Sequence, residues 1–394
     1  MKQPSLDPKA GPTLVWGTFD KGKPRVRILL KGLSEAGYTL IEYHSSPWDG
    51  IEDKSQIQGF FNKFRIAIDW LSRYPWLLFR YCFAPKHTFV LLPYLSHLDV
   101  LMLWPFAKLR GAKIIWDVFV PLYSTVIEDR QLVAKGSKAA RLIYAVEWLS
   151  TRAADVLFLD TKAHAEHFSR LYNLPKASVG SVMVGVEPEH FSPLSHSELV
   201  TNQENEPLVK VLFYGQFIPL QGVDTIFEAA RQSQGSRLRW TIIGNGQTAS
   251  RWKEELARSP IENLSWLEWV DYNALIEQIE RADVGLGIFG STEKSDLVVP
   301  NKVYQMLASG KPVITRRSQA MEALLADQDL NLILVDEDDP QALLDAIQAF
   351  APKNMSLQAD ASLPLVADKF GPLAVAEQYT RMLEDFSALK KKDS

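Results

Sequence analysis

The chain has 394 residues, and at roughly 150 residues per domain this length predicts two domains rather than one. Hydrophobic residues make up 46% and charged residues 23%, an ordinary globular composition that excludes a disordered chain. A net charge of -4 argues against a general nucleic-acid binder, and a single cysteine, Cys82, excludes an intramolecular disulfide or a cysteine-rich zinc site.

In chain order, the first 16 residues lack the apolar core of a signal peptide. Residues 13–16 predict a strand, followed by the turn Gly17-Thr18-Phe19-Asp20 and a helical pattern over about 25–36 that Gly37 closes. Residues 38–43 predict the next strand. Residues 57–83 then concentrate aromatic side chains with Lys63, Arg65, Arg73 and Arg80 interleaved, in a chain whose aromatic content is 11%. Two readings stand side by side for this segment: an amphipathic surface lying in a membrane interface, or a pair of helices buried against a sheet. The most apolar stretch, 74–98, is interrupted by Arg80, Lys86 and prolines and is not expected to span a bilayer. The expected location is therefore the cytoplasm, peripheral on the inner face of the membrane if 57–83 binds lipid.

Residues 89–92, 113–116 and 156–159 predict further strands, apolar throughout, of the kind found in parallel sheets covered on both faces. Residues 192–207 are polar, aperiodic and flanked by prolines, and read as a linker. A second β/α series follows: strands at 209–214, 238–243, 284–288 and 312–315, with helices at 223–232, 274–281, 302–309 and 340–350. A last helix at about 373–389 leads into a basic tail, Lys390-Lys391-Lys392. The pattern predicts an α/β protein of two Rossmann-like, doubly wound domains facing a central cleft: 1–191 and 208–370, with 192–207 between them and 371–394 at the end. Ligands of such sheets bind outside the carboxyl ends of the strands.

The second half carries phrases in a telling order. Phe213-Tyr214-Gly215-Gln216 ends a strand in a glycine turn, Gly222-Val223-Asp224 opens a helix, and Ile242-Ile243-Gly244-Asn245-Gly246 ends a second strand in glycine. Ala282-Asp283-Val284-Gly285-Leu286 follows, then a run from Pro300-Asn301-Lys302-Val303-Tyr304-Gln305 to Pro312-Val313-Ile314. Upstream stands Gly185-Val186-Glu187 with Phe191 and Pro193. Glycine turns and helix N-termini present backbone N–H groups to phosphates, Lys302 can add a full charge, and Asn301 can donate from its amide. The string Gly285, Gly287, Gly290 matches a dinucleotide fingerprint, but a polar loop follows it where a helix should open, so no NAD site is expected.

This series resembles the GT-B glycosyltransferases of the large retaining group often called family 4, or group 1, over about 14–386 and most strongly over 209–314. The resemblance implies transfer of a sugar from a nucleotide-sugar donor to a saccharide or lipid-linked acceptor, with retention by front-side attack. It further implies surface-polysaccharide or glycoconjugate assembly, an acceptor-binding first domain, a donor-binding second domain, and a C-terminal helix packed back on the first. The donor-side residues it marks are Gly17, Arg25, Gly215, Gln216, Gln221, Gly244, Asn245, Pro300, Asn301, Lys302, Val303 and Gln305. Neither a cofactor, an obligate metal nor a nucleic-acid partner is expected.

The departures are specific. Relatives commonly carry Arg and Lys where this chain has Gln216 and Gln221, and two glutamates where it has Leu297 and Gln305. Gln305 can still bond ribose hydroxyls; Leu297 cannot replace a glutamate, and Glu293 or Asp296 are the nearby substitutes. Phosphate charge must then come from Lys302, Arg316, Arg317, Arg25 or Arg27. These losses keep open a non-catalytic sugar-nucleotide-binding protein, and less readily a sugar-nucleotide epimerase.

In the first half, Asp117 ends the strand Ile114-Ile115-Trp116 and is the first candidate to accept or orient an acceptor proton. The alternative for Asp117 is pairing with an arginine. His97, with Asp99, follows another strand and is the second candidate; the alternative is a satisfied loop histidine. Glu128-Asp129-Arg130 reads as a surface ion-pair cluster, and His164 with His167 as a solvated helix face rather than a metal site.

Overall fold

The computed structural model describes residues 11–47, 60–191, 208–326, 330–349, 366 and 368–392. The expected linker 192–207 and the start of the 57–83 segment lie outside the described residues. The chain divides into two compact units. Met1–Ile127, Gln131–Gly185 and Pro372–Ser394 make the first; Glu128–Arg130 and Val186–Gly371 make the second.

Unit 1 is built on a six-stranded parallel sheet of β1 (Thr13–Gly17), β2 (Leu40–His44), β3 (Phe89–Leu92), β4 (Lys113–Asp117), β5 (Val156–Leu159) and β6 (Val179–Ser181). The spatial order β2-β1-β3-β4-β5-β6 places the topological switch between β1 and β3. β1, β3 and β5 are buried at every residue, so no inside–outside alternation is visible in their sequences. The helices are α1 (Pro24–Glu35), α2 (Phe60–Ser72), α3 (Tyr74–Cys82), α4 (His97–Leu109), α5 (Lys138–Ala153) and α6 (Lys162–Tyr172). Proline in the first turn starts α1, where its missing N–H costs nothing. The C-terminal helix, Pro372–Lys392, belongs to this unit and includes the lysines expected to form a tail. It lies against α1 at Gly32, where a Cβ would fall 1.9 Å from the Pro372 carbonyl oxygen; any side chain there would push the helix away.

Within the aromatic segment, α3 has one buried and one exposed face. Tyr74, Leu77 and Tyr81 of α3 are buried, and the Trp16 indole donates to the Leu77 carbonyl at 3.3 Å. The opposite face exposes Trp76 (58%), Phe79 (56%) and Phe83 (75%), with Trp76 and Phe79 stacked at 5.9 Å and the Phe79 and Phe83 rings tilted against each other at 5.0 Å.

Unit 2 repeats the architecture with β7 (Val209–Tyr214), β8 (Leu238–Ile243), β9 (Leu264–Leu267), β10 (Val284–Leu286), β11 (Val313–Arg316) and β12 (Leu332–Val335). All neighbours are parallel in the order β12-β11-β10-β7-β8-β9, so here the switch lies between β10 and β7. Its helices are α7 (Val223–Gln232), α8 (Ala249–Arg258), α9 (Tyr272–Arg281), α10 (Glu293–Leu297), α11 (Asn301–Ala308), α12 (Gln319–Ala326) and α13 (Pro340–Ala349). Its core also uses aromatics, with Phe227 stacked on Trp252 at 4.3 Å. The glycine string in and after β10 has a packing cause. A Cβ would fall 2.1 Å from Met306 Sδ at Gly285, 2.3 Å from Thr315 Oγ1 at Gly287 and 2.1 Å from the Pro219 carbonyl oxygen at Gly290.

Candidate active site

The switch between β7 and β10 is where a doubly wound sheet opens a crevice at its carboxyl edge. β7 ends there in Gly215, with φ +155°, and β8 ends beside it in Gly244, with φ +151°. A Cβ on Gly244 would stand 1.9 Å from the Gly215 carbonyl oxygen, so the two turns approach backbone to backbone. Asn245 pins the second turn. Its Nδ2 donates to Glu268 at 2.7 Å and its Oδ1 accepts from the Gly246 amide at 2.7 Å.

Lys302 is the pivotal side chain. Pro300, extended at φ −66° and ψ 147°, caps α11, and Asn301 and Lys302 are its first two residues. The Lys302 ammonium lies 3.7 Å from the centroid of the Phe213 ring and donates to Gln221 Oε1 at 2.6 Å. It forms no ion pair among the described residues, although only 4% of the residue is exposed. Burial holds its pKa well below the ordinary lysine value. A Cβ built on Gly215 would sit 3.5 Å from Nζ. A buried ammonium bonded to a neutral amide, at a glycine turn on the switch, is a site short of an anion.

The other donor-side candidates separate. Gln305 Oε1 accepts from the buried Tyr214 hydroxyl at 2.9 Å, and its NH2 makes no hydrogen bond among the described residues. Val303 is wholly buried and its amide is used by the Pro300 carbonyl, so it is a core residue and offers nothing to a ligand. Leu297 is buried too, and Asp296 is engaged by the Gln319 amide at 3.1 Å and by Arg316 at 3.5 Å. Arg316 is committed to Gly290, Ser295 and Glu337, and Arg317 to Glu322. Among the cations of unit 2 proposed for the phosphates, Lys302 is the one whose partner among the described residues is a neutral side-chain amide rather than a carboxylate.

The sequence reading missed a further cation. Arg130 follows a π-helical turn, Ser124–Asp129, and the tripeptide Glu128–Arg130 clusters with unit 2 although it interrupts the sequence of unit 1. Its guanidinium donates to Gln216 Oε1 at 3.2 Å, and its carbonyl accepts from Gln247 at 3.1 Å. The signal was the pairing of a conspicuous acidic-basic tripeptide with a neutral residue at 216.

Unit 1 places its candidates differently from the sequence reading. Asp117 is fully buried and receives the Arg25 guanidinium in a bidentate pair at 2.8–3.0 Å. Burial raises the Asp117 carboxyl above its ordinary pKa, and Arg25 opposes that rise. Arg25 also donates to the Val182 carbonyl and lies 4.5 Å from the Phe119 ring centroid. The two therefore neutralise each other: Asp117 offers no open carboxylate to an acceptor, and Arg25 no free charge to a phosphate.

His97 is likewise satisfied. Its Nε2 lies 2.8 Å from buried Glu147, which also accepts from the Leu122 and Tyr123 amides and the Tyr172 hydroxyl. Asp99, wholly buried, accepts from the Thr18 amide and hydroxyl and from the Tyr74 hydroxyl. Gly17 exists for that carboxylate, because a Cβ at its φ of +129° would lie 2.3 Å from Asp99 Oδ2. His164 is not on a solvated face: it is 1% exposed, with Nδ1 2.6 Å from Asp160.

Two doubly wound parallel units, the second with paired glycine turns at its switch, define the GT-B fold. Residues 209–351 of the chain match the family described as glycosyl transferases group 1. Among solved structures it is similar to sucrose-phosphate synthase from Thermosynechococcus elongatus, with TM-score 0.66, 16% identity and 98% of each chain covered. It is also similar to HepE of Anabaena, solved with UDP, at TM-score 0.63 and 10% identity over 95% of this chain and 100% of that one. The lipopolysaccharide outer core galactosyltransferase WaaB follows at TM-score 0.57 and 12% identity, over 94% and 98%. No curated protein matches by sequence.

Proposed function

We propose that the chain moves a hexosyl unit, with retention, from a nucleoside-diphosphate sugar to a saccharide or lipid-linked acceptor in surface-glycan assembly. The observation that carries this reading is Lys302, a buried ammonium without an anion at the Gly215 turn. A diphosphate supplies the missing charge, and the helix α11 behind Lys302 adds the positive end of its dipole. As the sugar–phosphate bond breaks, negative charge grows on the leaving oxygen, and a fixed cation there stabilises the transition state more than the ground state. In front-side attack the acceptor hydroxyl approaches from the leaving-group side. Its proton then passes to a phosphate oxygen, a route that needs neither Asp117 nor His97 as base. No divalent ion is required, so chelation by EDTA leaves turnover unchanged.

HepE, solved with UDP and with UDP-glucose, makes UDP the first donor nucleotide to try. Thermal shift against UDP, GDP and ADP tests the reading. At a hundred times Kd the bound state gains about 2.7 kcal/mol, or about 5–10 °C for a unit of this size. No shift with any of them rejects it.

A second reading, a non-catalytic binder, is favoured by the burial of Leu297 and Asp117. It predicts a thermal shift without release of nucleoside diphosphate from any nucleotide sugar, whereas release in the presence of acceptor excludes it. The acceptor unit further proposes itself for a membrane surface through Trp76, Phe79 and Phe83. Arg73 is held by Asp69, and Arg80 lies on the Tyr43 ring. The aromatic strip is therefore the contact, and Trp76→Ser with Phe79→Ser abolishes sedimentation with anionic vesicles; absence of wild-type sedimentation rejects it.

A further inference from the structure

The lysine accounts for one charge, whereas a nucleoside diphosphate brings at least two. Gln216, the residue after Gly215, is neutral, so the turn after β7 carries no cation of its own there. Arg130 reaches this residue. Its terminal nitrogen donates to Gln216 Oε1 at 3.2 Å, a long bond to an uncharged acceptor. Its Nε is buried and makes no hydrogen bond, and the guanidinium forms no ion pair among the described residues. Arginine in a folded protein is always charged, and a charged donor with an idle buried N–H waits for an acceptor.

The group is also held in place. The Arg130 carbonyl is fixed by Gln247, from the loop before α8. The preceding Asp129 is 2% exposed and accepts from the Thr292 hydroxyl at 3.2 Å and from the Leu220 amide. The tripeptide is thus tied to three separate loops of unit 2. A guanidinium presented from such an anchor loses little freedom when it binds, and its planar fork matches phosphate oxygens.

We propose that Arg130 is a donor-binding residue: it provides the guanidinium that the turn after β7 lacks, and grips the donor diphosphate beside Gly215 together with Lys302. The proposal rests on the nucleotide-sugar reading and deepens it. It assigns the tripeptide Glu128–Arg130 a role in binding rather than as a surface ion-pair cluster. The bond to Gln216 then positions the fork in the free protein and is exchanged for phosphate when donor arrives.

Calorimetric titration of UDP, GDP and ADP, and of the matching nucleosides, into wild type, Arg130→Gln, Arg130→Lys and the double variant Arg130→Gln/Gln216→Arg tests this. Loss of a charge-assisted phosphate contact is worth about 10- to 100-fold in Kd. Arg130→Gln therefore weakens the nucleoside diphosphate that wild type binds by that factor, and its affinity becomes less sensitive to salt. Arg130→Lys keeps the charge without the fork and falls between. The double variant returns a guanidinium to the same spot and regains most of the affinity, which a purely structural role of Arg130 would not produce. Nucleoside binding, where measurable, is unchanged.

Arg130→Gln binding with wild-type affinity, while Lys302→Met does not bind, overturns the proposal and leaves the nucleotide-sugar reading standing. Wild type binding none of the diphosphates overturns the reading itself. If Arg130→Gln lowers the melting temperature, the Arg130→Lys and double variants decide, and equal weakening in both counts against the proposal.

Discussion

Lys302→Met should make the free protein more stable and the nucleotide-binding protein useless. The ammonium is buried, lies over the Phe213 ring and, among the described residues, is bonded only to the Gln221 amide oxygen and paired with no opposite charge that would offset its desolvation. Its pKa is lowered by that burial, which means the folded state binds its proton less readily than the unfolded chain. The sign follows: the stability penalty is absent above the unfolded pKa near 10.5, grows as pH falls towards the folded pKa, and stays at its full value below it. Each unit of depression costs about 1.4 kcal/mol at neutral pH, or about 3–6 °C in the melting of a unit of this size. Methionine has similar length, fills the same volume and carries no charge. Differential scanning fluorimetry from pH 7 to pH 10.5 should show Lys302→Met melting several degrees above wild type at pH 7, with the gap closing as pH rises. The wild-type shift with nucleoside diphosphate should vanish in the variant. A variant that melts lower than wild type and keeps the nucleotide shift would refute the reasoning, because Lys302 would then be an ordinary structural side chain.

The other predictions concern unit 1. Asp117→Asn strands the Arg25 guanidinium in the interior and should cost about 3–5 kcal/mol, whereas Arg25→Met/Asp117→Leu should recover most of it; denaturant melts of both variants check this. Equal losses in the single and double variants would show that Asp117 matters for something other than the pair. Glu147 gives an acid limit. Burial alone would raise its carboxyl, but hydrogen bonds from His97, Tyr172 and the Tyr123 amide hold it below the ordinary 4.5. Its stabilisation is therefore full above pH 4.5 and is lost as pH falls through the lower folded value. Melting temperatures of wild type and Glu147→Gln should differ above that pH and converge below it; a pH-independent gap would contradict the assignment.

The fold was legible because parallel strands announce themselves. The strands at 89–92, 156–159, 209–214 and 238–243 coincide with β3, β5, β7 and β8. β9 and β12 escaped notice: Leu264–Leu267 is a four-residue run interrupted by Ser265, and Leu332–Val335, although apolar throughout, is equally short. In unit 2, the turns at Gly215 and Gly244 and the helix start at Lys302 could be read because these are local features. The roles of Asp117, His97 and Arg25 could not, because each is set by a partner far along the chain. Arg25 and Asp117 are 92 residues apart and His97 and Glu147 are 50 apart, so neutralisation is decided by the sheet rather than by neighbours. Arg130 is the same lesson reversed: it stands 86 residues before Gln216, and only the fold puts a charge beside a residue that lacks one.

The most direct measurement is a crystal structure with UDP, or with whichever nucleoside diphosphate gives the largest thermal shift. The diphosphate should lie against the Gly215 turn, with Lys302 Nζ and the Arg130 guanidinium within hydrogen-bond distance of its oxygens and the Gln216 contact to Arg130 exchanged. A nucleotide seated elsewhere, or a diphosphate at that turn touching neither cation, would contradict the account.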